Sequence, residues 1–167
     1  HRKIEHVGAL EGLRQIVRLP DMLKLFAMFG VSYPTLNAVT GLWAGPYLKD
    51  VHGLDAVARG QVIAAIAIAL VIGNFIIGPI DRAVGRPKLV VATGAAIAIA
   101  VFGIFALAPT LPLWVVVALL FTLSVAASYA PVLLTQMRSR FPDHLAGRGS
   151  TTANITQLLG AAVLPII

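Results

Sequence analysis

The sequence predicts an all-α fold, a polytopic transmembrane helix bundle with about five spans. Three observations predict it. Hydrophobic residues make up 58% and charged residues 12% of the chain, against roughly 25% charged in soluble domains. Mean hydropathy is +0.88, and the apolar residues run on for lengths that match the ~20 residues a helix needs to cross about 30 Å of hydrocarbon. The charge that remains is gathered into the turns between these runs. Helices are expected rather than barrel strands, because the runs are continuous instead of alternating and only those two architectures satisfy every backbone hydrogen bond in lipid.

Stretches free of Asp, Glu, Lys and Arg extend over residues 25–48, 60–80, 89–137 and 149–167. The third is long enough for two spans, and "APTLP" at 108–112 divides it, since proline lacks a backbone donor and pushes its predecessor out of helix. Helices are therefore expected near 25–46, 60–80, 89–108, 113–137 and 149–167, forming a transmembrane bundle over 25–167. Residues 1–24 are expected to be a cytoplasmic linker. Ile4, Val7, Leu10, Leu13, Ile16 and Val17 recur there at helical spacing, so part of it fits an amphipathic helix on the membrane surface. Asp21 is expected to cap the first span. The segment has no apolar core of the signal-peptide kind. With His1 rather than Met at one end and an apolar run at the other, both ends are expected to be cut.

Eleven of the thirteen basic residues fall on one side of this arrangement. They are Arg2, Lys3, Arg14, Arg18 and Lys24 before the first span, Arg82, Arg86 and Lys88 between the second and third, and Arg138, Arg140 and Arg148 between the fourth and fifth. Lys49 and Arg59 alone lie opposite. Short loops rich in Lys and Arg stay in the cytoplasm, which puts the amino end and loops 81–88 and 138–148 on the cytoplasmic side of a cell membrane; a bacterial inner membrane is expected. Basic loops without interleaved aromatics fit this bias rather than nucleic acid, and no nucleic-acid partner is expected; membrane lipid is. Trp43, Tyr47 and Trp114 lie near the outer span ends, as an aromatic belt would.

Polar residues inside the spans are few and patterned. The first span carries Tyr33, Asn37 and Thr40 on one face; the fourth carries Ser124, Ser128 and Thr135, flanked by Tyr129 and Gln136, with Pro131 able to kink it. The fifth carries Ser150, Asn154, Gln157 and Ala161 on one stripe. A hydroxyl in a span often bonds its own helix backbone, whereas the amides of Asn37 and Gln157 must find a partner, either a cavity or a neighbouring helix. The third span holds Thr93 as its only hydroxyl and suits a lipid-facing position. No Asp, Glu, Lys, Arg or His falls within the five cores. The sequence therefore offers no intramembrane coupling group, no catalytic constellation and no metal site, and neither an enzyme nor a cofactor is expected. Asp50, His52 and Asp55 in "DVHGLD" are expected to be a solvated outer turn, and "GLWAGP" at 41–46 a packing and helix-end segment.

The inner turn between the second and third spans, "GPIDRAVGRPK", holds Gly78, Asp81, Arg82, Gly85, Arg86 and Lys88. Gly85 is placed for a left-handed turn and Pro87 for the first turn of the next helix. This stretch resembles the loop signature of the major facilitator superfamily, a Gly, an Asp-Arg pair, then Gly-Arg and a further cation. The two glycines keep the family's separation of seven, and the Asp-Arg pair stands one residue earlier than usual. The second basic inner loop, "RSRFPDHLAGRG", stands where the family's internal repeat would put it.

The resemblance covers nearly the whole chain and looks closest to the carboxy-terminal six-helix half, incomplete here. It implies a partner, either a missing amino-terminal half or another membrane subunit, and a small-molecule substrate moved by alternating access. In such a half the first and fourth helices line the cavity, the second and fifth face the other half, and the third and sixth face lipid. The resemblance implies that Tyr33, Asn37, Thr40, Ser124, Ser128, Tyr129 and Gln157 line the cavity. It also implies that Gly78, Asp81, Arg82, Gly85 and Arg86 form a conformational latch with Arg138 and Arg140 or a helix end of the other half. The alternative is a membrane scaffold or assembly subunit with this fold and no transport.

Overall fold

The computed structural model describes residues 9–108, 110–142 and 145–163. Arg2, Lys3, Ile4 and Val7 lie outside the described residues, as do the side chains of Leu10, Leu13 and Tyr33.

Eight helices follow one another: α1 (Ala9–Arg18), α2 (Met22–Asn37), α3 (Ala44–Asp50), α4 (Ala56–Val84), α5 (Pro87–Leu107), α6 (Leu113–Ala126), α7 (Ala130–Arg138) and α8 (Ala146–Val163), with no strand among the described residues. A π-helical segment, Ala38–Trp43, joins α2 to α3. Three stretches among the described residues are long and apolar enough to cross a membrane: Ala56–Val84, Pro87–Leu107 and Leu113–Arg138. The first expected span is instead built in pieces, α2, the π segment and α3. The last, α8, carries Ser150, Thr151, Thr152, Asn154, Thr156 and Gln157, which lower its apolarity.

Local chemistry sets the helix ends. Asp55 caps α4 by accepting from the Ala58 backbone N–H at 2.7 Å. Gly85 closes α4 at φ 62°, where a residue without Cβ is unstrained, and its N–H donates to the Asp81 carbonyl. Pro87 then opens α5 at a position whose N–H would have no partner. Asp21 stands at the start of α2, but its side chain makes no capping bond. Its left-handed backbone, φ 62°, directs the carboxylate elsewhere, to Lys24 at 3.2 Å and Arg140 at 3.5 Å.

Packing pairs α2 with α8 and α7, and α4 and α5 with α6. The tightest crossing is α2 on α8. Pro34 removes the donor that would bond the Gly30 carbonyl, and a Cβ on Gly160 would collide with that carbonyl. Small residues let these backbones touch, which is how helices associate in lipid. A cluster at the basic end gathers Ile16, Met22, Phe26, Leu133, Met137 and Phe141, so Ile16 ties the amphipathic α1 to the bundle. At the opposite end Ala44, Leu48, Ile66, Val116 and Leu120 pack together. Outward faces stay apolar: Leu107 is 87%, Phe75 77% and Ile99 72% exposed, far more than a water-facing surface accommodates. Thr93 on α5 spends its hydroxyl on the Leu89 carbonyl of its own helix, leaving that face fit for hydrocarbon.

Candidate functional site: a carboxamide cleft between broken helices

Two of the helical rods are interrupted. In the first, Pro34 and the π segment disturb the regular ladder, and Thr40 donates to the Leu36 carbonyl at 2.9 Å across the junction. In the other, the helix ends at Ala126, turns through residues 127–129 and restarts at Ala130 with Pro131 in its first turn. Such breaks free backbone groups at depth and place side chains where a continuous helix would not.

The turn in the second rod is held from both sides. Ser128, 2% exposed, lies 2.8 Å from the Ser124 carbonyl and 3.2 Å from the Leu70 carbonyl on α4, and its hydroxyl binds the turn to that helix. Gly73 makes room for it, since a Cβ there would strike the Ser128 side chain. Tyr129 is buried, its ring over Gly94 of α5. Its hydroxyl donates to Ser32 Oγ on α2 at 2.9 Å, and Ser32 donates to the Met28 carbonyl at 2.6 Å. Ser124 is fully buried and bonds Leu120 of its own helix.

Beside this turn a cleft of about 230 Å³ opens among α2, α4, α7 and α8. Asn74 comes to it from α4, and Asn154 and Gln157, one turn apart, from α8; Ser128 forms part of the floor. Phe29, Leu70, Pro131 and Leu134 are its apolar walls. None of the three carboxamides makes a side-chain hydrogen bond among the described residues, whereas the nearby hydroxyls of Ser128, Ser150 and Thr156 all do.

The residues predicted to line a cavity thus separate. Gln157 and Ser128 meet in the cleft. Ser124 and Tyr129 are buried and bonded within the bundle. Asn37 is exposed beside the π segment, Thr40 is half-buried, and the Tyr33 side chain lies outside the described residues. Asn74 was not singled out by sequence, although it is the one amide in the interior of the run 60–80 and that isolation was the available signal. Tyr47 leaves the belt arrangement of the exposed Trp43 and Trp114: its ring meets His52 and Phe105 edge-on and its hydroxyl is buried.

At the basic end, Asp81 sits in the last turn of α4, half-buried, with Oδ1 buried and unbonded among the described residues. Gly78 has open space around it, and Arg82 and Arg86 are exposed. Arg138 donates from Nε to Ser150 Oγ at 3.3 Å, and Arg140 donates to the Pro20 carbonyl at 3.1 Å. Lys24, by hydrogen bond and charge, holds the Asp21 carboxyl below its ordinary value against desolvation, and Arg140 adds a smaller contribution in the same direction. Among the described residues no group of His, Asp and Glu could hold a metal ion.

Residues 2–165 match the sequence profile of the Major Facilitator Superfamily. The chain belongs to the major facilitator superfamily. Members of this superfamily are membrane transporters rather than enzymes, and the all-α bundle described here corresponds to a major-facilitator-like half. No curated protein and no solved structure matches the chain.

Proposed function

We propose that this major facilitator protein is a secondary transporter that moves a small solute by alternating access. In this reading two helical halves rock about a site near the membrane midplane, and the present bundle acts as the carboxy-terminal half beside an amino-terminal half or another subunit. One observation carries it. Three carboxamides with no side-chain hydrogen bond among the described residues line one cleft beside the turn at 127–129; Asn74 and Asn154 are exposed and Gln157 is half-buried, so all three stand open to a solute, water or a facing helix. The amino end and the loops at 81–88 and 138–148 face the cytoplasm of a cell, since the basic residues collect there.

The latch belongs to the same reading. Asp81 Oδ1 is buried and unbonded among the described residues, while Arg138 and Arg140 are engaged with Ser150 and Pro20; in this reading a donor from one of these arginines or from a helix end of the other half completes the latch. Replacing Asp81 by Asn weakens that contact and is expected to loosen the outward-facing state, read as faster labelling of cleft positions from the inside.

Residues 1–167 contain no cysteine, so Gln157→Cys places the one thiol of this segment in the cleft, any cysteine elsewhere in the protein being replaced by serine. In oriented vesicles of the native protein, a membrane-impermeant thiol reagent is expected to reach it from either face. Labelling from one face alone under every condition, with no solute uptake, contradicts alternating access and leaves the scaffold role.

A further inference from the structure

The lining of the cleft is largely apolar, with four polar side chains and no ionisable one among the described residues. Asn74, Asn154, Gln157 and Ser128 supply its polar atoms. The charges closest along these helices stand at the basic end, outside the lining. Arg138, one turn beyond Leu134, is engaged with Ser150, and Asp81 lies two turns beyond Asn74. Arg148 stands in the first turn of α8 and has an interaction of its own. An ion entering such a site from water gives up part of its hydration and meets no countercharge among the described lining residues. A neutral solute exchanges hydrogen bonds instead. Each carboxamide offers two N–H donors and a carbonyl acceptor, so the three together match a solute bearing both functions; a carboxylate group uses the donors alone and an ammonium group the carbonyls alone. Phe29, Leu70, Pro131 and Leu134 give its C–H surfaces a dry wall.

We propose that the solute held by Asn74, Asn154 and Gln157 is an uncharged small molecule rich in both hydrogen-bond donors and acceptors, of the polyol or amide kind. This rests on the transporter reading and narrows it. The volume, about 230 Å³, equals roughly eight water molecules' share of liquid, which suits a compact solute.

Ala130 lines the cleft without contributing a polar side-chain atom, so Ala130→Cys places the one thiol of this segment there with all three carboxamides kept. Its alkylation by N-ethylmaleimide is measured in the full protein in vesicles, against two sets of probes matched in skeleton: glucose, gluconate and glucosamine, and nicotinamide with nicotinate. A neutral member of at least one set is expected to slow labelling at a concentration about tenfold below its charged counterparts, about 1.4 kcal/mol. Asn154→Ala in the same background is expected to remove that protection. Equal or better protection by a charged member overturns the proposal, and gluconate or nicotinate doing so assigns the selectivity to Arg138. Protection by no probe, or protection unaffected by Asn154→Ala, overturns it as well. The transporter reading fails separately, when Gln157→Cys is reached from one face only.

Discussion

Ser128 and Tyr129 are neighbours in sequence, yet they brace different helices: the serine reaches Leu70 on α4 and the tyrosine reaches Ser32 on α2. Each hydrogen bond joins helices inside lipid, where such bonds average about 0.6 kcal/mol. Tyr129→Phe removes the bond and leaves Ser32 its own bond to Met28, so a loss of about that size is expected in detergent unfolding, without loss of fold. Gly160 is a different case. A Cβ there meets the Gly30 backbone, which cannot turn aside, so Gly160→Ala is expected to cost about 1–3 kcal/mol by forcing α2 and α8 apart. A melting temperature of Gly160→Ala equal to the parent's contradicts that crossing.

At the scale of the elements, the attachment of α1 is expected to respond to pH. Ile16, fully buried, anchors it, and the junction to α2 is held by Asp21 with Lys24 and Arg140. The Asp21 carboxyl is depressed below its ordinary value of 3.8. A depressed carboxyl contributes stability that is present above the ordinary value and is lost as pH falls through the folded one. Docking of α1 is therefore expected to be unchanged from neutral pH to about pH 5 and to weaken only in stronger acid, measured as hydrogen exchange of the α1 amides corrected for the intrinsic rate at each pH. Asp21→Asn keeps a residue that tolerates the left-handed backbone while removing the charge. It is expected to abolish that acid dependence, and an unchanged acid response in it rules out Asp21 as the titrating group.

At the scale of the whole molecule, the described residues form a bundle with apolar sides, charged ends and a recess that holds three carboxamides. The distribution of the thirteen basic residues predicts opposite faces for the turns near Arg82 and Lys49. Single cysteines at exposed Ala83 and Val51 are expected to react with an impermeant reagent from opposite sides of the membrane. Reaction of both from one side contradicts the topology. The interrupted rods and the cleft between them are properties of the assembled bundle, because α4 and α8 are distant in sequence yet deliver Asn74, Asn154 and Gln157 to one place.

By itself the sequence determined the solvent, the helices and the kind of protein. Uninterrupted apolar runs admit few structures in lipid, prolines and glycines mark where those runs turn, and the Gly78 to Lys88 motif points to the superfamily. Gly85, Asp55 and Pro87 act through rules local to a few residues, so their places at helix ends are legible without tertiary contacts. The tertiary structure alone decided which polar groups remain available. Helical spacing puts Ser124, Ser128 and Asn37 on faces, but what stands opposite each face depends on which helix packs there and how closely. The same hydroxyl chemistry that marks Ser128 and Tyr129 as cavity residues in the sequence binds α4 and α2 once those helices approach. Asn74, unremarkable along the chain, is left unpaired beside Asn154 and Gln157 because no described donor or acceptor reaches it.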